Sequence, residues 1–399
     1  MLFGLFYRFY HYIAIQWLCV LLAKIAYLPF RLRNWFWVQQ CRKEVVSMPH
    51  EQALDTVNQI HPCPNVIIEC KSCPVDEKLD LSIIVPVYNY AELLPANIDS
   101  ILNQKTQYTF ELILVDDGST DGSSDILRRY QHIENVRIVS KENGGIASAR
   151  NAGLNVAHGK FIMFVDCDDT VENNIVEVLL ERAYATDADI VMCGHNLVKW
   201  KEGKIASVIP NLQPSANLLE YAPDAMILNY AGLPWCKVYR RELWKNVRFF
   251  SGFWYEDCII HSLLFTQCRH FAYVPQICYQ YRWYEKNFSH TQSKSTNPKC
   301  IDYYWLLMKC LEQCKSLGLS RGVRFETMLL RHLTSYFYPK VAALPEDVIK
   351  ALFILACDLY QQYGSMNERL QLPGYLKKAR EILIERDFAG WKLISQTQP

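Results

Sequence analysis

Hydrophobic and polar positions change rhythm several times along this chain of 399 residues. From about residue 80, apolar runs of strand length alternate with stretches of helical spacing: LSIIVPVYN, AELLPANIDSILNQ, FELILVDDGS, TDGSSDILRRYQ, VRIVS, GGIASARNAGLNVAHG, KFIMFV, NNIVEVLLERAYATD and ADIVMCG. Continuous apolar runs suit strands buried on both faces, and apolar positions three and four apart suit helices lying on them. This alternation predicts right-handed crossovers and a doubly wound α/β sheet whose ligands bind beyond the carboxyl ends of the strands. Thr120 or Asp121 is the expected cap of the helix after the second strand. From about 195 to 296 the rhythm becomes irregular, and we assign this stretch to the second half of the same domain, 80–296. Beyond it, CIDYYWLLMKCLEQCKSLG, FETMLLRHLTSYFYPKVAAL, DVIKALFILACDLYQQYG and YLKKAREILIERDF are amphipathic stretches separated by Gly or Pro, which predicts a helical C-terminal region over 297–399.

Two segments precede the domain. Residues 45–79 are polar and contain Pro and Cys, and read as a linker with one helix near EQALDTVNQI. Residues 1–44 are rich in Phe, Tyr, Trp and Leu, but the longest stretch without a charged side chain, 9–23, is shorter than the ~20 apolar residues of a spanning helix. No small-residue cleavage site comes after it. Aromatics interleaved with Arg8, Lys24, Arg31 and Arg33 predict a helix lying in a membrane interface, with a core helix and a true span as the alternatives. In each case the basic residues place the next segment of the chain on the cytoplasmic face.

Composition narrows the classes. With 50% hydrophobic and 21% charged residues the chain is globular, long enough for two or three domains. Its 42 Lys and Arg nearly balance 41 Asp and Glu, so no long-range field favours nucleic acid as a partner. Fifteen cysteines in a chain large enough to fold without staples favour a reducing compartment. His61, Cys63, Cys70 and Cys73 in HPCPNVIIECKSC read either as a zinc clamp or as reduced linker thiols. A single CxxC and an irregular gap favour the thiols.

The chemistry concentrates where the apolar runs end. Strand one ends at Pro86, Val87, Tyr88 and Asn89, strand two at Asp116 and Asp117, and FIMFV runs into Asp166, Cys167, Asp168 and Asp169. Carboxylates packed this closely repel one another unless a positive group holds them. Asp166 and Asp168 on one short turn offer oxygen donors suited to magnesium or manganese, while Asp169 is expected to cap the next helix. Asp116 and Asp117 stand either as turn residues or as acceptors for a base N–H or a ribose hydroxyl, and Tyr88 offers a ring for stacking. Neither GxGxxG nor GxxxxGK[ST] occurs, so phosphates would be met by metal and cationic side chains.

SIIVPVYN, ELILVDDGSTDGS, NGGIASARNAGL and GKFIMFVDCDD, in this order and spacing, resemble the family 2 inverting glycosyltransferases of the GT-A fold, closely over 80–195 and more loosely to about 290 through WCKVYRREL and YEDC. The resemblance implies that Pro86, Tyr88, Asp116 and Asp117 contact the nucleotide base. It implies that Asp166 meets the ribose and metal, that Asp168 is the direct metal ligand, and that Asn143 and Arg150 line the donor site. It makes Asp257, paired with Glu256, the base. These two also read as a cap for CIIHSLLF. Arg282 and Lys286 read as diphosphate contacts or solvated cations, and His290 as a third metal ligand or a loop histidine. Trp235, Trp254 and Tyr255 read as an acceptor platform or as core.

The function so implied is transfer of one sugar from a nucleotide-linked donor, UDP-linked by expectation, to a hydroxyl of a glycan or lipid-linked acceptor, at the membrane surface, in bacterial surface-polysaccharide or lipo-oligosaccharide synthesis. Two alternatives stand beside it. Transfer to a polyprenyl phosphate needs no base, and an inert glycan-binding homologue binds nucleotide without turnover.

Overall fold

The computed structural model describes residues 43–395 apart from 67–69, 72, 202, 213–225, 231, 285–295 and 366–369. The membrane-interface segment, Lys286 and His290 lie outside the described residues. None of the described helices is long and apolar enough to cross a membrane.

The apolar runs form the expected strands. β1 (Leu81–Val87), β2 (Phe110–Asp116), β3 (Val136–Ser140) and β4 (Phe161–Phe164) pair in parallel in the order β3-β2-β1-β4. Every residue of β1 is buried, as its position at the centre of this group requires. The chain order reverses beside β1, since β2 lies on one side and β4 on the other. The crevice of such a sheet opens at this reversal.

α1 (His50–Ile60) lies in the linker before β1, α2 (Leu94–Leu102), α3 (Ser123–Arg128) and α4 (Gly145–Val156) run between these strands, and α5 (Ile175–Thr186) follows them. The cap position of α3 is Gly122, at φ +94°. The expectation of Thr120 or Asp121 as the cap is corrected: both precede the cap, and Asp121 accepts the N–H and hydroxyl of Ser123 from outside the helix. Gly153 lets α4 lie against β1, where an added Cβ would come within 2.4 Å of Ile84 Cγ2.

The irregular stretch builds the second half of the sheet. β6 (Ile190–Lys201) pairs antiparallel with β7 (Lys204–Asn211) and β8 (Lys237–Arg240), and parallel with β9 (Phe271–Trp283). β8 joins β4 antiparallel, and the two-residue β5 (Thr170–Val171) pairs with β9. The sheet is therefore mixed, and continuous from β3 to β5.

Its apolar positions merge into one core. Ile83, Val85, Leu112, Leu114, Met163 and Val165 of the first half pack with Val191, Cys193, Val238 and Cys278 of the second. The thirteen cysteines among the described residues are free thiols.

The helical C-terminal region contains α6 (Asp302–Ser316), α7 (Gly322–Leu333), α8 (Glu346–Tyr363), α9 (Gly374–Glu385) and α10 (Phe388–Ile394). The chain divides into two compact units: Asn58–Leu329 with Ser365–Leu370, and the described part of Met1–Val57 with Leu330–Gly364 and Gln371–Pro399. In the latter, fully buried Trp391 packs among Phe337, Phe353 and Phe388, and its Nε1–H donates to Leu333 O at 2.8 Å.

Candidate active site

Three loops leave the carboxyl ends of β1, β2 and β4, and hydrogen bonds tie them together. Beyond β1, Asn89 sits at φ +58°, a left-handed conformation that asparagine tolerates. Its Oδ1 accepts the N–H of Thr120 at 2.7 Å, and its own N–H donates to Ser119 Oγ at 3.2 Å, so the first loop is fastened to the second. Tyr88 between them stays 46% exposed, an aromatic ring presented to solvent at the strand end. Pro86 is buried within β1 opposite Val115. It forgoes a donor there, a rare choice in a central strand.

Asp116 and Asp117 are both buried and both engaged. Asp116 accepts the N–H of Ser119 at 2.9 Å and the hydroxyl of Ser124. Asp117 receives Lys141 Nζ at 2.6 Å and the N–H groups of Gly145 at 2.8 Å and Gly144 at 3.1 Å, at the positive end of α4. Asn143 Nδ2 donates to Asp117 O at 3.0 Å. Gly118, at φ +76°, closes this junction, because an added Cβ would lie 2.9 Å from Asn143 N. The second loop is thus locked to the segment 141–145.

The turn after β4 is held from two distant elements. Asn97 of α2 donates to Asp166 O at 3.0 Å and to Asp169 O at 2.8 Å. From β9, the hydroxyl of Tyr279 accepts the N–H of Asp166 at 3.2 Å and donates to Asp169 Oδ2 at 2.7 Å. Asp169 also accepts the N–H of Arg282 at 2.7 Å. The expectation that Asp169 caps a helix is corrected: α5 starts only at Ile175, and the carboxyl of Asp169 is a buried anchor between β4 and β9. Burial, then Asp168 and Asp166, push it well above the ordinary carboxyl range.

Asp166 and Asp168 face different surroundings. Asp166 is paired with Arg150 of α4, whose Nη2 lies 2.9 Å from its Oδ1. The same guanidinium reaches Glu256 with Nη1 at 2.8 Å, and its Cζ stands 5.3 Å from the Phe249 ring centroid. Burial alone would weaken the charge on Arg150, but Asp166 and then Glu256 outweigh it and hold the guanidinium protonated. Arg150 therefore joins the turn after β4 to the loop carrying Glu256 and Asp257. The hydroxyl of Tyr284 lies 3.3 Å from Asp168 Oδ2 and 3.0 Å from the hydroxyl of Tyr90. Burial first, then Asp166, push the Asp168 carboxyl up to about 6.

Glu256 and Asp257 come directly after Tyr255, which holds φ +64°. A non-glycine residue in that region costs about 1–3 kcal/mol and persists where its surroundings over-determine it. The chain then turns, with Cys258 N–H to Tyr255 O and Ile260 N–H to Asp257 O, both at 2.9 Å, into the π-helical turn Ile260–Leu264. Glu256 is engaged by Arg150 rather than by a helix N–H. Trp235 is 5% exposed and stacked on Tyr279 at 4.8 Å and Tyr281 at 5.2 Å, so of its two readings it takes the core one. Trp254 and Tyr255 meet edge to face at 6.3 Å and remain half-buried. The Arg282 guanidinium stands 4.9 Å from the Trp200 ring.

Several functional residues escaped the sequence reading. Lys141 precedes the NGG motif and was legible there as a lone cation. Asn97, Tyr279 and Tyr284 carry no local signal, because their partners lie far away in the chain.

Residues 82–248 match the profile of Glycosyl transferase family 2. That stretch is a glycosyltransferase family 2 domain. The chain is 29% identical over 274 residues to YibD, a glycosyltransferase of Escherichia coli K12, covering 67% of the present chain and 74% of YibD. It is 30% identical over 217 residues to glycosyltransferase GlyA of Streptococcus pneumoniae, covering 52% of the present chain but only 31% of GlyA. In fold it is similar to the crystal structure of S. aureus TarS 1-349 in complex with UDP-GlcNAc, with a TM-score of 0.57 and 20% identity over 80% of the chain and 91% of that structure. The profile match ends just short of Glu256 and Asp257, which this glycosyltransferase carries on the adjoining loop.

The residues present fit a divalent cation. Asp166 and Asp168 are an all-oxygen donor pair, suited to manganese or magnesium. Among the described residues no third His, Cys, Asp or Glu completes a protein-only cage, so further ligands would come from water and substrate phosphate. Burial and the neighbouring Asp166 both disfavour the charged form of Asp168, and a cation beside it would reverse that balance.

Proposed function

We propose that this glycosyltransferase inverts the anomeric centre of a nucleotide-sugar donor, UDP-linked, and transfers one sugar to a hydroxyl of a glycan or lipid-linked acceptor in bacterial surface-polysaccharide synthesis, at the cytoplasmic face of a membrane. The observation that carries this reading is the line Asp166, Arg150, Glu256, which joins the donor turn to the loop holding a second carboxylate. Inversion by single displacement needs one base opposite the leaving group and no covalent nucleophile.

In this reading Tyr88 stacks on the base, and Pro86 and Asp116 shape the wall behind it. Asp117, Asn143 and Lys141 keep the 141–145 segment against the donor. Asp168, with Asp166, would hold a manganese or magnesium ion, which when bound neutralises charge on the departing nucleoside diphosphate. Asp257 takes the acceptor hydroxyl proton during attack, a role typically worth ~10²–10⁴ in rate. Arg150 holds Glu256 in place at 2.8 Å, so that Asp257 beside it stays aimed. The UDP-GlcNAc held by TarS makes that sugar nucleotide the first donor to try.

The test is nucleotide release by the purified full chain from UDP-, GDP- and CDP-linked sugars, with and without manganese, beside Asp168→Ala and Asp257→Asn. The expected result is manganese-dependent release of UDP, lost by at least ~10²-fold in both variants. Nucleotide binding without turnover on any donor would overturn the enzyme mechanism. Full activity in Asp257→Asn would move the base elsewhere or favour a phosphate acceptor.

A further inference from the structure

The loop that carries Glu256 and Asp257 is gripped from a second side, by residues outside the family motifs. Asp302, at the start of α6, is completely buried. Its Oδ2 accepts the backbone N–H of Trp254 at 2.9 Å, and its Oδ1 lies 2.6 Å from His61 Nε2. His61 is the next residue after α1, and its carbonyl accepts Trp305 Nε1–H at 3.0 Å. Tyr303 packs edge-on against Tyr255 at 5.7 Å, and Lys299 Nζ stands 6.0 Å from the Trp254 ring.

These contacts fall on the two residues that precede Glu256. Tyr255 holds the left-handed φ of +64°, a conformation maintained only when neighbouring groups impose it. On its N-terminal side the backbone is fixed by the Asp302 carboxylate. On its C-terminal side Arg150 holds Glu256 at 2.8 Å. A buried carboxylate that accepts a hydrogen bond from an imidazole is oriented by it, since removing either partner leaves the other buried group unsatisfied. His61, 23% exposed at its side chain, thereby sets the direction in which Asp302 meets Trp254.

We propose that His61 and Asp302 are positioning residues: the pair imposes the strained backbone at Tyr255 and so aims Asp257 at the acceptor hydroxyl, without touching the donor. This assigns the histidine of the HPCPNVIIECKSC segment to the acceptor half of the reaction, and it rests on the reading of Asp257 as the base. Its selectivity is its signature. A group that acts only through the base loop alters turnover and leaves donor recognition alone.

The experiment uses the full chain with UDP-GlcNAc and manganese, recording kcat and KM for UDP release, the Kd for UDP, and Tm. His61→Ala and Asp302→Ala are expected to lower kcat about tenfold or more, since small misplacements of a reacting group are costly. KM and the UDP Kd should stay within about twofold, as expected where transition-state but not ground-state contacts change. Asp302→Asn, which keeps an acceptor oxygen for Trp254, should recover part of the loss. Asp257→Asn combined with Asp302→Ala should be no slower than Asp257→Asn alone, because both act through one group. Unchanged kcat in a folded His61→Ala or Asp302→Ala, or equal losses in kcat and UDP affinity, would overturn the proposal while leaving the base assignment standing if Asp257→Asn is inactive. A fully active Asp257→Asn would defeat the base assignment and this proposal with it. Should Asp302→Ala fail to fold, His61→Ala decides the matter.

Discussion

Asp168 shows how one side chain can report on its ligand. Burial and Asp166 raise its carboxyl to about 6 in the folded chain, above the ordinary value of 3.8. The folded state then binds this proton more tightly than the unfolded state, so the group adds stability as pH falls from 6 towards 4 and withdraws it as pH rises through that window. A cation beside Asp168 replaces the proton. Manganese with UDP is therefore expected to raise Tm clearly at pH 7.5 and much less at pH 5, where the proton competes. Equal shifts at both values in a thermal melt would remove Asp168 from the metal site. At this scale the sequence was only partly legible. The carboxylates of FVDCDD announced themselves by their crowding, but Asp169 looked like a helix cap because Tyr279 and Arg282, its partners, lie more than a hundred residues downstream. His61 read only as a minor candidate for a zinc ligand among linker thiols, because its partner Asp302 lies far downstream.

Among the elements, the parallel half was legible almost to the residue. β1, β2 and β4 are buried as continuous apolar runs, which no surface strand would tolerate. The second half was not. β6 continues beyond ADIVMCG to Lys201, β7 is exposed along its whole length, and a π turn interrupts the helix after Asp257. Strands of this kind are set by tertiary partners rather than by their own period. The helix α4 joins both halves of the site, since it begins at the Asp117 junction and carries Arg150, and its seating on β1 depends on Gly153. Gly153→Ala gains about 1 kcal/mol of helix propensity. The added Cβ would nevertheless press on Ile84 at 2.4 Å, an overpacking cost of about 1–3 kcal/mol. A larger Gly153→Val adds further strain, so we expect Tm to fall progressively from wild type through Ala to Val, with UDP release falling in parallel as Arg150 shifts. A variant series with unchanged melting would show that α4 is free to move away from the sheet.

At the scale of the whole molecule, the candidate site is assembled from segments that never meet in the sequence: the linker through His61, α2 through Asn97, the turn after β4, the loop of Glu256 and Asp257, and α6 through Asp302. The clamp of Asn97 and Tyr279 on the Asp166 to Asp169 turn has a further consequence. Four bonds from α2 and β9 fasten the turn at Asp166 and Asp169, on either side of Asp168, before any ion arrives. A rigid opening of this kind discriminates by ionic radius. Small ions with short metal–oxygen bonds, about 2.0–2.1 Å for magnesium, suit it better than calcium, which takes more ligands at roughly 2.3–2.6 Å. Calcium should thus fail to replace manganese in UDP release, and loosening the clamp with Tyr279→Phe should narrow the gap between the two ions. The aromatic hydroxyl at the far end of β9 would then act as a gauge, choosing the metal by size without ever touching it.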